Sequence, residues 1–410
     1  MISYEEARQF VLTDLAALAP RDVELGDALG MVSAAAVAAR EPSPSFPNSA
    51  MDGFAIRAAD TAGGEVRLGI VDTIFAGDLG SSIVKTGEAA RIMTGAPLPD
   101  GADSICMREE AVVSDDGGTV LISRPVQAGE YVRLVGDDII VGQELVGVGE
   151  VIGPALLGVL ASQGVRSILA HPRPRVGVLS TGNELTDSND ELEVGKIRDA
   201  NRPSLLASLA GSGFVPVDLG IAGDTARDIT EALQHGIRAC DAVISTGGVS
   251  VGDADFVKSV LADLAGDRAR SMQVAIRPGK PFAFAVDSSG VPLFGLAGNP
   301  VSTLVGFELF VRPALRRLAG YRELDRPTAS AILDCPLPRR RDGKLNLVHV
   351  RVRFESDGRL HVKSVSRLGS HLLHAIADAN ALAMVPDGEG LEPGEEVAAM
   401  IMDADQLNGA

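Results

Sequence analysis

The sequence predicts a multidomain protein of mixed α/β and β class, and three patterns predict it. A proline-rich connector at residues 41–47 separates a helix-like start from a region of short alternating segments. Strand-like and helix-like segments then alternate over residues 175–318, which is typical of a three-layer α/β domain with a mostly parallel sheet. Residues 325–405 return to period-two alternation with Asp-Gly turns, which indicates a C-terminal β-barrel.

The same patterns predict the domain boundaries. Ser3 and Glu6 fit a capping box for a first helix, and an alanine-rich second helix is predicted over residues 25–39. The segment after the β module mixes a glycine-rich strand with a short helix and is expected to pack back on the first 40 residues. We therefore predict an elongated, helical N-terminal domain (1–41 and 140–168), an inserted β module (42–139), an α/β domain (169–322) and a C-terminal β-barrel (323–410).

Composition excludes several classes of function. The 410 residues carry a net charge of −18 and no Trp, which argues against binding to nucleic acid or anionic membranes. Cys106, Cys240 and Cys335 are far apart and are expected to be reduced thiols. The N-terminus does not resemble a signal peptide and no apolar run is long enough to span a bilayer, so a cytoplasmic location is expected.

The most informative stretch, residues 241–300, predicts an anion site. Glycines after a buried strand let backbone N–H groups point into one small space, and a helix N-terminus behind them adds partial positive charge. Thr246 and Ser250 can donate hydrogen bonds, and Lys280 adds a full charge. Asp253 and Asp255 suit a phosphate only if Mg²⁺ is also bound.

Ligands of parallel α/β sheets bind at the carboxyl ends of the strands. Three loops are expected at that edge, namely residues 180–184, 245–255 and 297–300, and the first two both begin Ser-Thr-Gly. Glu184 could be either a charge at a helix N-terminus or a Mg²⁺ ligand. Gly248 to Gly252 also match the Gly-x-Ser-x-Gly elbow of serine hydrolases, but four residues separate the strand end from Ser250, where an elbow needs a tight turn.

Seven motifs occur in one order along the chain. They are Asn48-Ser-Ala-Met-Asp-Gly, Ile92-Met-Thr-Gly-Ala-Pro, Val135-Gly-Asp-Asp-Ile, Leu179-Ser-Thr-Gly-Asn-Glu-Leu, Thr246-Gly-Gly-Val-Ser-Val-Gly-Asp-Ala-Asp, Arg277-Pro-Gly-Lys-Pro and Gly298-Asn-Pro-Val-Ser. This order closely resembles the molybdopterin molybdenumtransferase family (MoeA type, related to the catalytic domain of gephyrin), over about residues 1–405. Any one of these motifs alone is weak evidence for the family, but the seven together are specific for it.

The resemblance implies a magnesium-dependent molybdopterin molybdotransferase. Such an enzyme takes adenylylated molybdopterin and molybdate, inserts molybdenum at the dithiolene, releases AMP and so forms molybdenum cofactor. The resemblance also implies an elongated homodimer, with the active site between the α/β domain of one subunit and the inserted β module of the other. Transient contacts with molybdopterin adenylyltransferase or with apo-molybdoenzymes are expected.

The resemblance also implies roles for individual residues. The expected catalytic residues are Asp52, Thr94, Asp138 and Glu184, and Asp52 and Glu184 are expected to hold Mg²⁺. The expected contacts to pterin, phosphate and molybdate are Thr181, Gly182, Thr246, Gly247, Gly248, Ser250, Gly252, Asp255, Arg277, Lys280, Asn299, Pro300, Ser302 and Ser370.

The chain departs from the family pattern at a few positions. Arg277 stands where a lysine is common, which keeps the charge but replaces a compact ammonium with a planar fork, and Phe54 replaces a usual tyrosine. The arginine expected on the first C-terminal strand is either Arg351 or, with a small insertion, replaced by His349.

Two other functions stay open at this point. A molybdopterin adenylyltransferase, or a related nucleotide pyrophosphatase, could use the same α/β domain. That single-domain enzyme lacks the Asp52 and Thr94 motifs that precede this domain. A non-catalytic scaffold is the third possibility, against which stand the retained acidic residues.

Overall fold

The computed structural model describes residues 1–187, 190–248, 256–339, 341–364 and 373–408. The helices are α1 (Tyr4–Thr13), α2 (Pro154–Ser162), α3 (Asn201–Gly211), α4 (Ala226–Ala239), α5 (Phe256–Ala265), α6 (Pro300–Gly306), α7 (Arg312–Leu318) and α8 (Leu373–Ile376). A π-helical segment, Phe307–Val311, joins α6 to α7.

The strands of the first half are β1 (Arg21–Glu24), β2 (Val32–Ser33), β3 (Val37–Ala38), β4 (Asn48–Ser49), β5 (Gly53–Ile56), β6 (Val66–Ile74), β7 (Glu88–Ile92), β8 (Ser104–Met107), β9 (Ala111–Val113), β10 (Thr119–Ile122), β11 (Val132–Arg133), β12 (Glu144–Val146), β13 (Ser167–His171) and β14 (Arg175–Thr181). Those of the second half are β15 (Leu185–Thr186), β16 (Ile197–Arg198), β17 (Val215–Ala222), β18 (Ala242–Thr246), β19 (Ala269–Gln273), β20 (Ile276–Arg277), β21 (Pro281–Val286), β22 (Pro292–Leu296), β23 (Thr328–Leu333), β24 (Leu337–Pro338), β25 (Leu345–Phe354), β26 (Leu360–Ser364), β27 (Ala381–Val385), β28 (Gly390–Leu391) and β29 (Glu396–Ile401).

The chain forms two compact units. The large unit comprises Met1–Ala35, Val148–Gly153 and Ser167–Ala410, and the small unit comprises Ala36–Gly147 and Pro154–Arg166. The chain therefore passes from the large unit into the small unit and back more than once.

The small unit is built on a six-stranded sheet with the order β8-β5-β7-β6-β10-β9. Its strand β5 pairs antiparallel with β7 on one side and with β8 on the other. Alternate residues of β5 lie on opposite faces, so Phe54 packs in one hydrophobic cluster and Ala55 in another. The prediction of an all-β module is confirmed, and β5 is an interior strand of the sheet.

The α/β part of the large unit contains a six-stranded sheet with the order β17-β14-β18-β22-β21-β19. The pairs β14–β17, β14–β18 and β18–β22 are parallel, and the two edge pairs are antiparallel. Helices cover both faces, with α3, α6 and α7 in one core and α4 and α5 in the other. The prediction of a three-layer α/β domain with a mostly parallel sheet is confirmed.

Helix α1 packs into the same core as this sheet. Ser3 caps it, and the reciprocal bonds with Glu6 form the predicted capping box. Ala7, Val11 and Leu12 are buried, and the ring of Phe10 lies edge-on to that of Phe284 at 6.0 Å.

The C-terminal region closes into a five-stranded barrel. Strand β25 pairs with β26 and β27, β27 pairs with β29, β29 pairs with β23, and β23 pairs with β26. The inward-facing residues form a separate apolar core that includes Ala331, Val350, Val362, Ala383 and Val397. The predicted C-terminal β-barrel is confirmed. Among the described residues, no helix is long and apolar enough to cross a membrane.

The predicted second helix over residues 25–39 is wrong. After a single 3₁₀ turn at Leu25–Asp27, this segment contributes β2 and β3. Strand β2 pairs with β13, strand β3 pairs with β12, and Gly30 adopts a φ of 75° that interrupts a helix. Backbone pairing with residues more than a hundred positions away outweighs the helix propensity of the alanines.

Candidate functional site

Three predicted loops begin at one edge of the α/β sheet. In the parallel register Ser180 is paired with Thr246, and Thr246 is paired with Leu296, so β14, β18 and β22 end side by side. The Thr181 hydroxyl donates to the Thr246 carbonyl at 3.4 Å, which ties the first loop to the second. The expectation that the loops meet at the carboxyl ends of the strands is confirmed.

Glycines let these loops approach one another closely. Gly247 has a φ of 99°, and a Cβ there would lie 2.4 Å from the Thr181 carbonyl oxygen. A Cβ on Gly298 would lie 3.5 Å from the Cα of Gly247. Gly248, with a φ of 64°, would place its Cβ 2.7 Å from the Val257 side chain. At this edge backbone groups, rather than side chains, therefore form much of the surface, as a cradle for an oxyanion requires.

Asn201 joins two of the loops and was not predicted from the sequence. Its Nδ2 donates to the Thr246 hydroxyl and to the Gly298 carbonyl, both at 2.8 Å. Asp199, two residues before the start of α3, accepts the Asn201 backbone N–H at 3.1 Å. The sequence signal was available, because Asp199 and Asn201, four and two residues before Pro203, are typical of a helix start.

A buried ion cluster fixes the same end of α3. Arg202 is 7% exposed and bonds Asp199, Asp187 and Asp218, at 3.0, 2.6 and 2.5 Å. Burial by itself lowers the pKa of Arg202, but its hydrogen bonds to Asp218, Asp187 and Asp199 outweigh burial and hold the pKa above its usual range. The cluster therefore positions Asn201 rigidly beside the loops.

Glu184 lies over the first loop. Its Oε2 would be 2.5 Å from a Cβ on Gly182, so the carboxylate folds back over that glycine. Residues Leu185–Thr186 form strand β15, and the next helix, α3, begins at Asn201. The alternative in which Glu184 is a charge at a helix N-terminus is therefore wrong, and its role as a Mg²⁺ ligand stays a prediction.

The predicted basic loop lies against the start of α6. Arg277–Pro278 is a cis peptide bond, and a Cβ on Gly279 would lie 3.5 Å from the Ser302 carbonyl oxygen. Arg277 and Lys280 are exposed. Ser302 is buried in the first turn of α6, which begins at Pro300 with Asn299 at the N-cap position. Arg277 is 3.9 Å from Asp342, whose pKa is lowered by Lys344, Arg339 and Arg277.

His349 and Arg351 differ in charge. His349 is 6% exposed, and burial lowers its pKa to about 4, so the imidazole is neutral at neutral pH. Arg351 donates from Nη1 to the Asp378 carbonyl at 3.2 Å and carries a permanent charge. Of these residues on β25, Arg351 is the one whose charge suits an anion.

Asp52 and Thr94 meet in the small unit. The Asp52 Oδ1 accepts the Thr94 backbone N–H at 2.7 Å and the Thr94 hydroxyl at 2.8 Å. These bonds, first the backbone one, lower the pKa of Asp52, and Arg108 and Arg91 add to the effect. Asp52 is therefore an ionised carboxylate with its second oxygen, Oδ2, available to a ligand.

Arg91 and Arg108 complete this region and were not predicted from the sequence. With Asp52, Gly53, Phe54, Met93 and Val113 they line a cavity of about 230 Å³. Gly53 is needed here, because a Cβ at this position would lie 2.0 Å from the Cys106 carbonyl oxygen. No sequence signal distinguished these arginines from ordinary surface arginines.

Asp138 lies in a turn of the small unit, where its backbone N–H donates to the Ser43 carbonyl at 2.9 Å. The neighbouring Asp137 accepts the Leu134 N–H through its own carboxylate at 2.6 Å, so it closes the turn. Asp137 and Asp138 are both exposed, and the catalytic role of Asp138 stays a prediction.

Several predicted site residues lie outside the described residues. They are Ser250, Gly252, Asp255 and Ser370, and residues 249–252 of the Gly-x-Ser-x-Gly match also lie outside them. Within the described ranges, no group of three or more His, Cys, Asp or Glu side chains is arranged to hold a metal ion. A Mg²⁺ ion at Asp52 or at Glu184 would therefore take most of its ligands from substrate oxygens or water.

Family models divide the chain into three successive regions. Residues 2–164 match the MoeA N-terminal region (domain I and II), residues 177–317 match a probable molybdopterin binding domain, and residues 331–402 match the MoeA C-terminal region (domain IV). Fold and matched regions together define a multidomain protein of the molybdopterin-binding class.

Relatives match over nearly the whole chain. A protein of Haemophilus influenzae named molybdopterin molybdenumtransferase is 32% identical over 97% of this chain and 98% of its own length. A protein of the same name from Staphylococcus aureus is 33% identical over 98% of this chain and 96% of its own. The crystal structure of the molybdopterin biosynthesis MoeA protein from Pyrococcus horikosii superposes with a TM-score of 0.81 at 28% identity, covering 98% of this chain and 100% of that one. The chain belongs to the molybdopterin molybdenumtransferase (MoeA) family.

Proposed function

We propose that this protein inserts molybdenum from molybdate into adenylylated molybdopterin, in a Mg²⁺-dependent reaction that releases AMP and forms molybdenum cofactor. The observation that carries the proposal is the match to molybdopterin molybdenumtransferases over nearly the full length of both chains. The glycine loops at the sheet edge support it, because they offer backbone groups to a phosphate-bearing ligand and Asn201 ties two of these loops together. The alternative of an adenylyltransferase is less favoured, because the match also includes the N-terminal and C-terminal regions.

The residues present fit a bound Mg²⁺ ion at Asp52. Thr94 engages only Oδ1, so Oδ2 of an ionised carboxylate can serve as a metal ligand. Mg²⁺ would polarise the pyrophosphate link and offset the charge on the leaving phosphate. Thr94 orients Asp52 and keeps it ionised, while Glu184, folded over Gly182, offers a second carboxylate in the α/β part.

The cationic loop supports molybdate binding. Lys280 and Arg277 are exposed on one short loop, and that loop touches Ser302 at the start of α6. Molybdate is a dianion, and charge-assisted hydrogen bonds from these two cations suit it. Arg351 fits this role better than the neutral, buried His349.

One assay tests the reaction. Purified protein is supplied with adenylylated molybdopterin, Mg²⁺ and molybdate, and AMP release is followed with time. We expect AMP release that molybdate stimulates. Consumption of ATP instead would favour the adenylyltransferase. If neither AMP release nor ATP consumption is detected, the result would favour a non-catalytic scaffold.

Lys280→Ala tests the molybdate contact. We expect a higher molybdate concentration for half-maximal AMP release, by roughly 10-fold, because one charge-assisted contact is lost. Lys280→Arg keeps the charge and is the matched control. If the alanine variant needs the same molybdate concentration as the wild type, Lys280 does not contact molybdate.

We also propose that the protein is a cytoplasmic homodimer, as the family resemblance implies. Sedimentation velocity on the purified chain tests the assembly, and a monomer at micromolar concentration would contradict it. Cell fractionation with a tagged copy tests the location.

A further inference from the structure

The small-unit cavity beside Asp52 carries more positive than negative charge. Asp52 is the one carboxylate among the described residues that line it, and it faces the guanidinium groups of Arg91 and Arg108. The other lining residues, Gly53, Phe54, Met93 and Val113, are uncharged. In a chain with a net charge of −18, a local excess of cations must be built against the field of the whole molecule. This makes the pair of arginines informative.

The sheet fixes the backbone from which both arginines extend. The Arg108 backbone N–H donates to the Asp52 carbonyl at 3.0 Å, just beyond the β5–β8 pairing. On the other side of β5, Arg91 is paired with Phe54. Arg91 therefore extends from β7 and Arg108 from the turn directly after β8, the two strands that flank β5, and both reach the same cavity.

Among the described residues, Arg91 and Arg108 interact with Asp52 through their charge but form no hydrogen bond or salt bridge through their guanidinium groups. Arg124 of the same unit is different, because it binds Glu110 at 2.5 Å and Glu130 at 2.6 Å. The donors of Arg91 and Arg108 are thus free for a ligand, whereas those of a structural arginine are used within the protein.

The chemistry of the site specifies the ligand. A guanidinium group presents a planar fork of N–H donors that matches phosphate oxygens in a bidentate way. Two such forks beside a carboxylate with one free oxygen suit a phosphate group bound together with a divalent cation. A cavity of about 230 Å³ has room for a phosphate group and its water, but not for a whole nucleotide.

We propose that Arg91 and Arg108 form a binding site for a phosphate group of a nucleotide, with Asp52 holding the accompanying cation. The base and sugar would extend out of the cavity into solvent or toward other protein. That this group is the phosphate of the adenylylated substrate rests on the proposed function. The anion site itself does not depend on it.

Met93 supplies a direct reporter, because its side chain lines the cavity. The full chain is labelled with ¹³C-methyl methionine, and the Met93 signal is assigned with Met93→Leu. Inorganic phosphate, molybdate, AMP and adenosine are then titrated separately in the presence of Mg²⁺. We expect phosphate and AMP to shift the Met93 signal saturably and adenosine not to shift it.

The arginine variants test the contacts. Arg91→Ala and Arg108→Ala should each weaken AMP binding at Met93 by about 10-fold or more, since each removes charge-assisted hydrogen bonds. Arg133→Ala, which removes another exposed arginine of the same unit, is the matched control and should leave the titration unchanged. A thermal melt like that of the wild type shows that the ligand-free variants are folded.

Three outcomes would overturn the proposal. They are a Met93 signal that AMP does not move, alanine variants that titrate like the wild type, and a site that binds molybdate more tightly than phosphate. The titration needs no turnover, so its failure is distinct from failure of AMP release. Binding at Met93 without AMP release would keep this site and reject the proposed reaction.

Discussion

Each of the two units carries a candidate site, and the two sites are built from different groups. In the large unit, glycines and neutral hydrogen bonds shape the loops, as Gly247 and Asn201 show. In the small unit, charged side chains form the site around Asp52, with Arg91 and Arg108 beside it. The loops of the large unit can therefore tolerate few side chains, whereas the small-unit site depends on which charges its strands carry.

This difference predicts which kind of substitution impairs each site. A backbone cradle fails when a Cβ is added, because the loops touch through main-chain atoms. A charged site fails when a charge is removed, although the fold survives. Gly53 is the exception in the small unit, since its missing side chain is what lets β8 lie beside Asp52. Four substitutions test this contrast.

Gly53→Ala should have the largest effect. Its Cβ would lie 2.0 Å from the Cys106 carbonyl oxygen in an interior strand, so β8 must move away from β5. We expect the small unit to lose about 3 kcal/mol of unfolding free energy and AMP release to be abolished. Urea unfolding followed by circular dichroism measures the first effect. Gly63→Ala, where no atom lies within 4 Å, should be neutral.

Asp52→Asn should reduce AMP release by about 100-fold or more while leaving the fold intact, because the amide keeps its shape but loses the charge that holds Mg²⁺. Steady-state kinetics and thermal melting measure the two properties. Asp115→Asn removes an exposed charge from a hairpin of the same unit and should change neither. Wild-type AMP release and cofactor formation in Asp52→Asn would exclude Asp52 from catalysis.

Gly247→Ala should cost roughly 10-fold to 100-fold in AMP release, because a displacement of about 1 Å in a positioning loop has effects of that size. The new Cβ would lie 2.4 Å from the Thr181 carbonyl oxygen, at a φ of 99°. Gly211→Ala, at the end of α3 with no atom within 4 Å, is the control. Equal activity in both variants would show that the large-unit loops do not position substrate.

Thr94→Val should have the smallest effect, a shift in pH dependence. The backbone N–H of residue 94 still lowers the pKa of Asp52, but the hydroxyl contribution is lost, so the pKa rises toward its ordinary value. Because the ionised carboxylate is the active form, activity should be lost at a higher pH on the acid side. The pH profile of AMP release measures this. Thr94→Ser keeps the hydroxyl and should follow the wild type, and a Thr94→Val profile identical to wild type would contradict the role of the bond.

The helix predicted over residues 25–39 is wrong because local helix propensity does not include pairing with distant strands. Its alanines favour a helix locally, but partners in β12 and β13 offered a strand pairing that no local window contains. The π-helical segment between α6 and α7 was likewise not predicted. In this segment both carboxylate oxygens of Glu308 accept hydrogen bonds at 3.0 Å from Arg326, which lies eighteen residues further along the chain.

The sequence by itself determined the order of the α/β and β regions and the loops at the sheet edge. Periodicity, glycine positions and the capping box are local properties, so the parallel sheet, the β module, the barrel and α1 could all be predicted. The family resemblance assigned Asp52 and Thr94 to the same active site, but it did not predict the hydrogen bonds between them.

Only the tertiary structure decided which side chains share a surface. It placed Asn201 between two loops, left Asp138 exposed while Asp137 closes its turn, and made His349 neutral by burial. It also brought Arg91 and Arg108 to either side of Asp52. Contacts between residues distant in the chain depend on strand pairing and on burial, and neither is written in the local pattern.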